Sequence, residues 1–193
     1  MNGIKKDDIY IMISDIVKKI KFDTLSDRLG PDCPFTHWKL YFKYSMLKLC
    51  KNKFKYFDDS AEFRAGAYAI CCSKISIGKR VIIRPQTMIF ADPRDENLGR
   101  IFIEDNVMIG SGVHIYTSNH RYDGKDRDLI EQGSYDAQDV FLKEGCWIGA
   151  NAIILPGVNI GKRSVVGAGS VVTKSIPDHV VVAGNPARII KQI

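Results

Sequence analysis

From Leu142 onward an aliphatic residue returns at every sixth position: Leu142, Ile148, Ile154, Ile160, Val166 and Val172 open the blocks LKEGCW, IGANAI, ILPGVN, IGKRSV, VGAGSV and VTKSIP. The fifth place of each block is small or β-branched: Cys146, Ala152, Val158, Ser164, Ser170 and Ile176. IEDNVM, IGSGVH and IYTSNH, opening at Ile103, Ile109 and Ile115, have the same form, as do IGKRVI and IRPQTM from Ile77 and Ile83. A six-residue period matches neither the 3.6 of a helix nor the simple alternation of a long strand. It predicts a solenoid of short strands joined at sharp corners, its aliphatic openers pointing inward and stacking from coil to coil. One repeat cannot bury its own apolar face, so stability must come from its neighbours. Gly110, Gly149, Asn151, Gly157, Gly161, Gly167 and Gly169 sit near the corners, where a tight turn needs a positive φ.

Two segments break the phase. Residues 91–99 (ADPRDENLG) are a polar loop, and residues 121–139 (RYDGKDRDLIEQGSYDAQD) form a longer, charged insertion that protrudes immediately after His120. Loops of that length inside a compact domain are usually functional or disordered. The first 60 residues lack the period. Asp7 or Asp8 is positioned to cap a helix over 9–21, a second helix is expected over 37–53, and LGPDCPFT (29–36) reads as the turn between them. The organisation expected is a helical appendage over 1–60, the solenoid over 61–177, and a C-terminal crossover with a short helix over 178–193.

Composition narrows the class. The 193 residues are 45% hydrophobic and 26% charged, ordinary for a globular protein. No apolar run approaches the length of a membrane span, and the N-terminus does not read as a secretion signal. Cys33, Cys50, Cys71, Cys72 and Cys146 are odd in number and form no C-x-x-C pair, which suits a reducing compartment, the cytoplasm by default, and disfavours disulfides or zinc. The net charge of +6 is uneven, with Lys39, Lys43, Lys48, Lys51, Lys53 and Lys55 falling between His37 and Tyr56 without one acidic residue. Such a run is either a solvated helix face or a patch for phosphates or anionic lipid.

The repeats over roughly 65–177 resemble those of the hexapeptide-repeat acyltransferases, whose fold is a left-handed parallel β-helix. YTSNHRYD (116–123), WIGANAIILPGV (147–158), VGAGSVVTKSIP (166–177) and VVAGNPARIIKQI (181–193) look like segments of the maltose, galactoside and polysaccharide O-acetyltransferases. The hand of the coil is implied by this resemblance alone, since parallel crossovers elsewhere are overwhelmingly right-handed. The resemblance implies acetyl-CoA as donor, a saccharide hydroxyl as acceptor, and a homotrimer with its sites between subunits. It places the catalytic histidine at His120, the oxyanion donor at the backbone N–H of Ala150, and acceptor contacts at Arg84, Asp92, Asn119 and Trp147. Ala168, Thr173 and Lys174 would line the coenzyme A groove, with Arg188 and Lys191 meeting its phosphates.

The chemistry accords with that assignment. A sugar hydroxyl is scarcely ionised at neutral pH, so a positioned base must take its proton as the thioester is attacked, and histidine suits the task. His37 lies in the helical region, His179 in the crossover, and His114 one corner before His120. Asp92, Asp123 and Glu131 are candidates to orient the base. Arg84 stands where the family commonly has asparagine, and is either a surface cation or a contact for an anionic acceptor such as a uronate or sialate. Trp147 either lines the cleft or simply packs. Cys146 occupies a small fifth place, which reads as buried and structural rather than as a thioester-forming nucleophile. An amino-sugar N-acetyltransferase and an antibiotic acetyltransferase of the streptogramin or chloramphenicol type are the competing enzyme readings. Metal chemistry of the γ-class carbonic anhydrase kind is disfavoured because the repeats hold only two histidines, and nucleic acid is not an expected partner. The lysine run leaves open a peripheral contact with anionic membrane.

Overall fold

The computed structural model describes the backbone from Lys6 and the side chains from Asp8 through to Ile193. From Tyr56 onward the chain winds as a three-sided parallel coil. Face I stacks β2 (Tyr56–Phe57), β5 (Ile75–Ile77), β8 (Ile101–Ile103), β11 (Val140–Leu142) and β14 (Asn159–Ile160). Face II stacks β3 (Glu62–Phe63), β6 (Ile82–Ile83), β9 (Met108–Ile109), β12 (Trp147–Ile148) and β15 (Val165–Val166), and closes with β17 (Val180–Gly184) and β18 (Ala187–Gln192). Face III stacks β4 (Tyr68–Ile70), β7 (Met88–Phe90), β10 (His114–Tyr116), β13 (Ile153–Ile154) and β16 (Val171–Val172). Its lower edge is covered by β1 (Arg28–Leu29), antiparallel to β4.

The register follows the six-residue period. Every opener from Ile77 to Val172 is buried and belongs to one hydrophobic core with the buried apolar fifth places Val81, Val107, Val113, Cys146, Ala152 and Val158. Where a buried fifth place carries a hydroxyl, the hydroxyl is used: Thr87 Oγ1 donates to Gly110 O at 2.9 Å, and Ser164 Oγ to Pro177 O at 2.7 Å. Buried hydroxyls without such partners would be costly.

The corner glycines divide into two kinds. Positive φ belongs to the fourth place of a block, at Arg80, Gln86, Asn106, Gly112, Gly145, Asn151, Gly157, Arg163 and Gly169. Gly110, Gly149, Gly161 and Gly167 occupy the second place and do not adopt it, contrary to the sequence expectation. Their role is close approach: a Cβ on Gly149 would stand 2.5 Å from Ala168 N, and one on Gly110 2.6 Å from Ala150 N. The backbone of the next coil occupies the space a side chain would need.

Ahead of the coil lie α1 (Lys6–Leu25), α2 (Pro34–His37), a 3-10 turn over Trp38–Tyr41 and α3 (Lys43–Lys53). The expected helix over 9–21 is thus longer, and that over 37–53 is broken at Phe42, whose backbone is extended. Asp8 lies inside α1 rather than capping it, and the Asp7 side chain lies outside the described residues. The short C-terminal helix is not formed. Residues 187–192 are instead β18, antiparallel to β17, with Ala183 opposite Arg188 and Val181 opposite Lys191. An open parallel ladder leaves unpaired N–H and C=O groups on its last strand, and a returning strand satisfies them where a helix would not.

Candidate active site

Two corners of the coil hold the residues singled out from the sequence. At the corner between faces III and I the chain leaves the coil twice, over 91–99 and over 118–139, and the two excursions pack together. A Cβ on Gly99 would meet Asp92 Cβ at 2.8 Å and Ala137 Cβ at 2.9 Å. The first excursion is gathered by Lys74, whose ammonium donates to the carbonyls of Asp92, Asp95 and Leu98. Within it, buried Asp92 takes a forked contact from Arg94, Nε at 3.0 Å and Nη2 at 2.7 Å, and accepts the Arg94 backbone N–H at 2.9 Å. Arg94, with help from Ser118, holds the Asp92 carboxyl well below the usual carboxylate range despite its burial. Arg94 Nη2 also reaches the carbonyl of Tyr135 at 3.0 Å, tying the first excursion to the second.

The second excursion is closed by its own backbone. Tyr135 N–H donates to Asn119 O at 2.9 Å, Arg121 N–H to Gly133 O at 3.0 Å, and Gln138 N–H to Thr117 O at 2.8 Å. His120 therefore stands at the mouth of a pinned hairpin, bridged to Ser134. Its imidazole is exposed and makes no hydrogen bond among the described residues, so neither Asp92, Asp123 nor Glu131 orients it here. Asn119 is exposed beside it. His114 is half-buried on face III, its Nδ1 2.8 Å from the Tyr116 hydroxyl. His37 accepts the Gly66 N–H on Nε2 at 3.0 Å, with its pKa lowered by burial. Both have structural partners that His120 lacks.

The corner between faces II and III carries a different surface. A groove of about 410 Å³ is lined by Ile82, Arg84, Met108, Ile109, Gly110, Ser111, Trp147 and Ala150. It brings Arg84, Trp147 and Ala150 together, and no residue of the 118–139 excursion lines it. Arg84 is exposed and without an ion-pair partner among the described residues, and the groove contains no carboxylate. Trp147 is half exposed, stacked in register between Met108 and Val165. The amide of Ala150, unlike those of Gly149 and Asn151, donates to no backbone carbonyl. Sequence reasoning missed Ile82, Met108 and Ser111. The signal was present, because Ile82, Met108 and Trp147 all occupy the outward sixth place of their blocks.

Ala168 is exposed one coil beyond Ala150 at the same corner. Arg188 and Lys191 are exposed on β18 at the end of face II, whereas Thr173 and Lys174 follow β16 at the III–I corner. A full face of the coil separates the two corners. From Ser111 to Thr117 the chain takes six steps, about 20 Å at the rise of a strand. Cys146 is fully buried, and burial pushes its thiol up to about 12, which removes it as a thiolate nucleophile. Among the six lysines of the 39–55 run, Lys51 pairs with Asp59, and Lys53 donates to the carbonyls of Asp23, Thr24 and Ser26 at the end of α1.

Comparison with known proteins adds to this geometry. The family model described as bacterial transferase hexapeptide (six repeats) matches residues 139–174. Galactoside O-acetyltransferase of Lactococcus lactis subsp. lactis (strain IL1403) is 45% identical over 93 residues, 48% of this chain and 44% of that protein. The chain thus matches less than half the length of that relative. The putative colanic acid biosynthesis acetyltransferase WcaF of Escherichia coli (strain K12) is 33% identical over 145 residues, 67% of this chain and 76% of that protein. Among solved structures, a galactoside acetyltransferase in complex with coenzyme A aligns with a TM-score of 0.72 at 28% identity, covering 92% of this chain and 78% of that one. The coil is the left-handed parallel β-helix of these neighbours.

Proposed function

Because the chain belongs to the hexapeptide-repeat acetyltransferases, we propose that it transfers an acetyl group from acetyl-CoA to a saccharide hydroxyl by direct attack, with His120 as general base. The observation that carries this reading is the state of His120: an exposed imidazole, held at the mouth of an ordered excursion, with both nitrogens free of protein partners. As the acceptor oxygen attacks the thioester carbonyl carbon, His120 takes the hydroxyl proton. The developing oxyanion is met by the amide of Ala150, which donates to no backbone carbonyl and is carried by a rigid corner. Collapse breaks the carbon–sulfur bond, and the imidazolium returns its proton to the departing thiolate, giving the acetyl ester and free coenzyme A. Direct transfer needs no acyl-enzyme, in keeping with the buried, protonated Cys146.

His120 and the Ala150 groove lie on different corners, so the reading requires a second copy of the chain to bring one to the other. A homotrimer with three such interfaces supplies this. Ala168, Thr173 and Lys174 would then line the path of the coenzyme, and the exposed cations of Arg188 and Lys191 would meet its phosphates. Trp147 offers an apolar wall to a sugar ring, and Arg84 offers a charge to a carboxylated one. Asn119, exposed beside the base, is the acceptor contact of the excursion. Asp92 enters as a support for the excursion, since its carboxylate is already taken by Arg94. The acceptor we infer is a saccharide of a bacterial surface polymer or its lipid-linked precursor, met at the cytoplasmic side of the membrane. That the 33%-identical relative bears a colanic acid biosynthesis name supports this class.

The test is thiol release from acetyl-CoA across a panel of neutral sugars, uronates and surface oligosaccharides, with native protein and His120→Ala. Acceptor-dependent release that collapses in the variant is expected. Release that survives it removes His120 as the base, and release with amines alone replaces O-transfer by N-transfer.

A further inference from the structure

The exposed apolar surface of the molecule is concentrated at one end. Of the 25 large hydrophobic side chains exposed among the described residues, 15 lie between Ile9 and Tyr44. Helix α1 is held to the body through its last turns: Asp23 is buried, accepts the Phe35 N–H at 2.8 Å and pairs with Lys19, while the Lys53 ammonium closes the helix end. Further toward its start, Ile9, Ile13, Ile16 and Ile20 recur at the spacing of a single helical stripe, widened by Tyr10 and Val17. These six side chains are 41–63% exposed, so the protein's own core does not cover the stripe.

A second exposed group adjoins it. A concavity between Ile11, Met12 and Ile16 of α1 and the ring of Phe35, rimmed by Asp8, Asp15 and Lys19, joins the helix to the segment that follows. There the Trp38 indole N–H donates to Phe35 O at 3.0 Å and its ring lies edge-on to Phe42 at 6.1 Å. Trp38, Tyr41, Phe42 and Tyr44 are all more than half exposed, interleaved with Lys39 and Lys43. Lys39, Lys43, Lys48 and Lys55 carry no ion pair among the described residues, and no acidic residue falls between His37 and Tyr56.

We propose that the Ile9–Ile20 stripe of α1 and the aromatic–lysine segment 35–44 together dock on an anionic bilayer surface. Soluble proteins rarely leave clustered large apolar side chains of this kind uncovered without a partner. Tryptophan and tyrosine beside lysine is the composition that settles at headgroup level, the rings in the acyl boundary and the ammonium groups among the phosphates. The charge favours a bilayer: Lys39 and Lys43 have no ion-pair partner among the described residues, no acidic residue falls between His37 and Tyr56, and anionic lipid neutralises them. No helix among the described residues is long and apolar enough to cross a membrane, so α1 would lie in the interface. The docking deepens the acceptor assignment above by placing the enzyme where a lipid-linked saccharide is found, but its test is separate from acetyl transfer.

The test is co-sedimentation of the full chain at low salt with phosphatidylcholine vesicles and with vesicles of phosphatidylcholine and phosphatidylglycerol in a two-to-one ratio. Binding to the anionic vesicles, weakened by salt, is expected. Ile13→Glu with Val17→Glu abolishes it, and Lys39→Glu with Lys43→Glu weakens it by more than about tenfold, from roughly 1 kcal/mol per basic residue at such a surface. Transfer to a soluble saccharide is unchanged in both variants. Absence of vesicle binding, or binding undiminished by the α1 changes, overturns the proposal. A disulfide forming between copies of Ile13→Cys without vesicle binding assigns the surface to a second copy. Vesicle binding by a protein inactive with every acceptor removes the functional reading and leaves this one standing.

Discussion

The II–III and III–I corners of the coil differ in how much freedom the chain retains. At the II–III corner all five coils turn alike, with Gly66, Gln86, Gly112, Asn151 and Gly169 at positive φ. In the third and fourth coils Gly110 and Gly149 let the neighbouring backbone in, in the fifth Gly167 faces the Ala183 side chain, and the second coil carries Arg84 at the equivalent place. At the III–I corner the chain departs from the stack, and the departures are secured by side chains: Lys74 on three carbonyls, Arg94 across Asp92 and Tyr135, and Arg100 paired with Asp139 at 2.6 Å. One corner is built by backbone contact and the other by charge-assisted hydrogen bonds. The rigid corner can hold an amide donor in fixed position, and the decorated one can present a base.

The sharpest way to break the contrast is at the base itself. His120→Ala should lower kcat by about 10²–10⁴, the usual worth of general base catalysis, with the fold intact by circular dichroism. On the rigid corner the two kinds of glycine should separate in chemical unfolding. Gly149→Ala drives a methyl into fixed backbone and should cost about 3 kcal/mol, whereas Gly169→Ala, with open space around it, should cost about 1 kcal/mol from its positive φ alone. On the decorated corner Arg94→Met leaves the buried Asp92 carboxylate without its partner, so it should lower thermal stability at neutral pH as well as lowering kcat roughly tenfold, read by thermal denaturation and steady-state kinetics. The Asp92 carboxyl is held low in the folded protein, so its contribution is present above the ordinary carboxylate pKa, about 4, and is lost as pH falls through the lower folded value. The stabilities of native protein and Asp92→Asn should therefore differ at pH 7 and converge in acid. Smallest of all, Cys146→Ala should leave kcat within about twofold, with no acetylated enzyme in the mass spectrum, because a buried thiol is not a nucleophile.

The coil was legible because its core alternation is local: each opener and fifth place states its burial in the sequence. The second-place glycines were misread because close approach and positive φ leave the same mark on one chain, and only coordinates show that Ala168 N stands against Gly149. The C-terminal residues AlaArgIleIleLysGln (187–192) carry fair helix propensity, but the unpaired edge of β17 outweighs it. At the candidate site, the place of His120 before an interruption was legible, and the nearness of Trp147 to Ala150 was implied by the resemblance. Arg94 and Lys74 were not, since nothing periodic marks a residue that works by tying one loop to another. The exposed stripe of α1 was equally hidden, because amphipathic spacing states which residues share a face and not whether anything covers it.

The central claim is that the base and the oxyanion donor reach one another only across two copies of the chain. It is tested by mixing His120→Ala with a groove variant, Arg84→Glu combined with Trp147→Asp, each expected to be inactive alone. In mixed trimers of verified composition the account predicts recovery of about a third of the native rate, because one of the three interfaces in each receives both intact halves. No recovery in such oligomers would show that both halves act within one chain, and would contradict it.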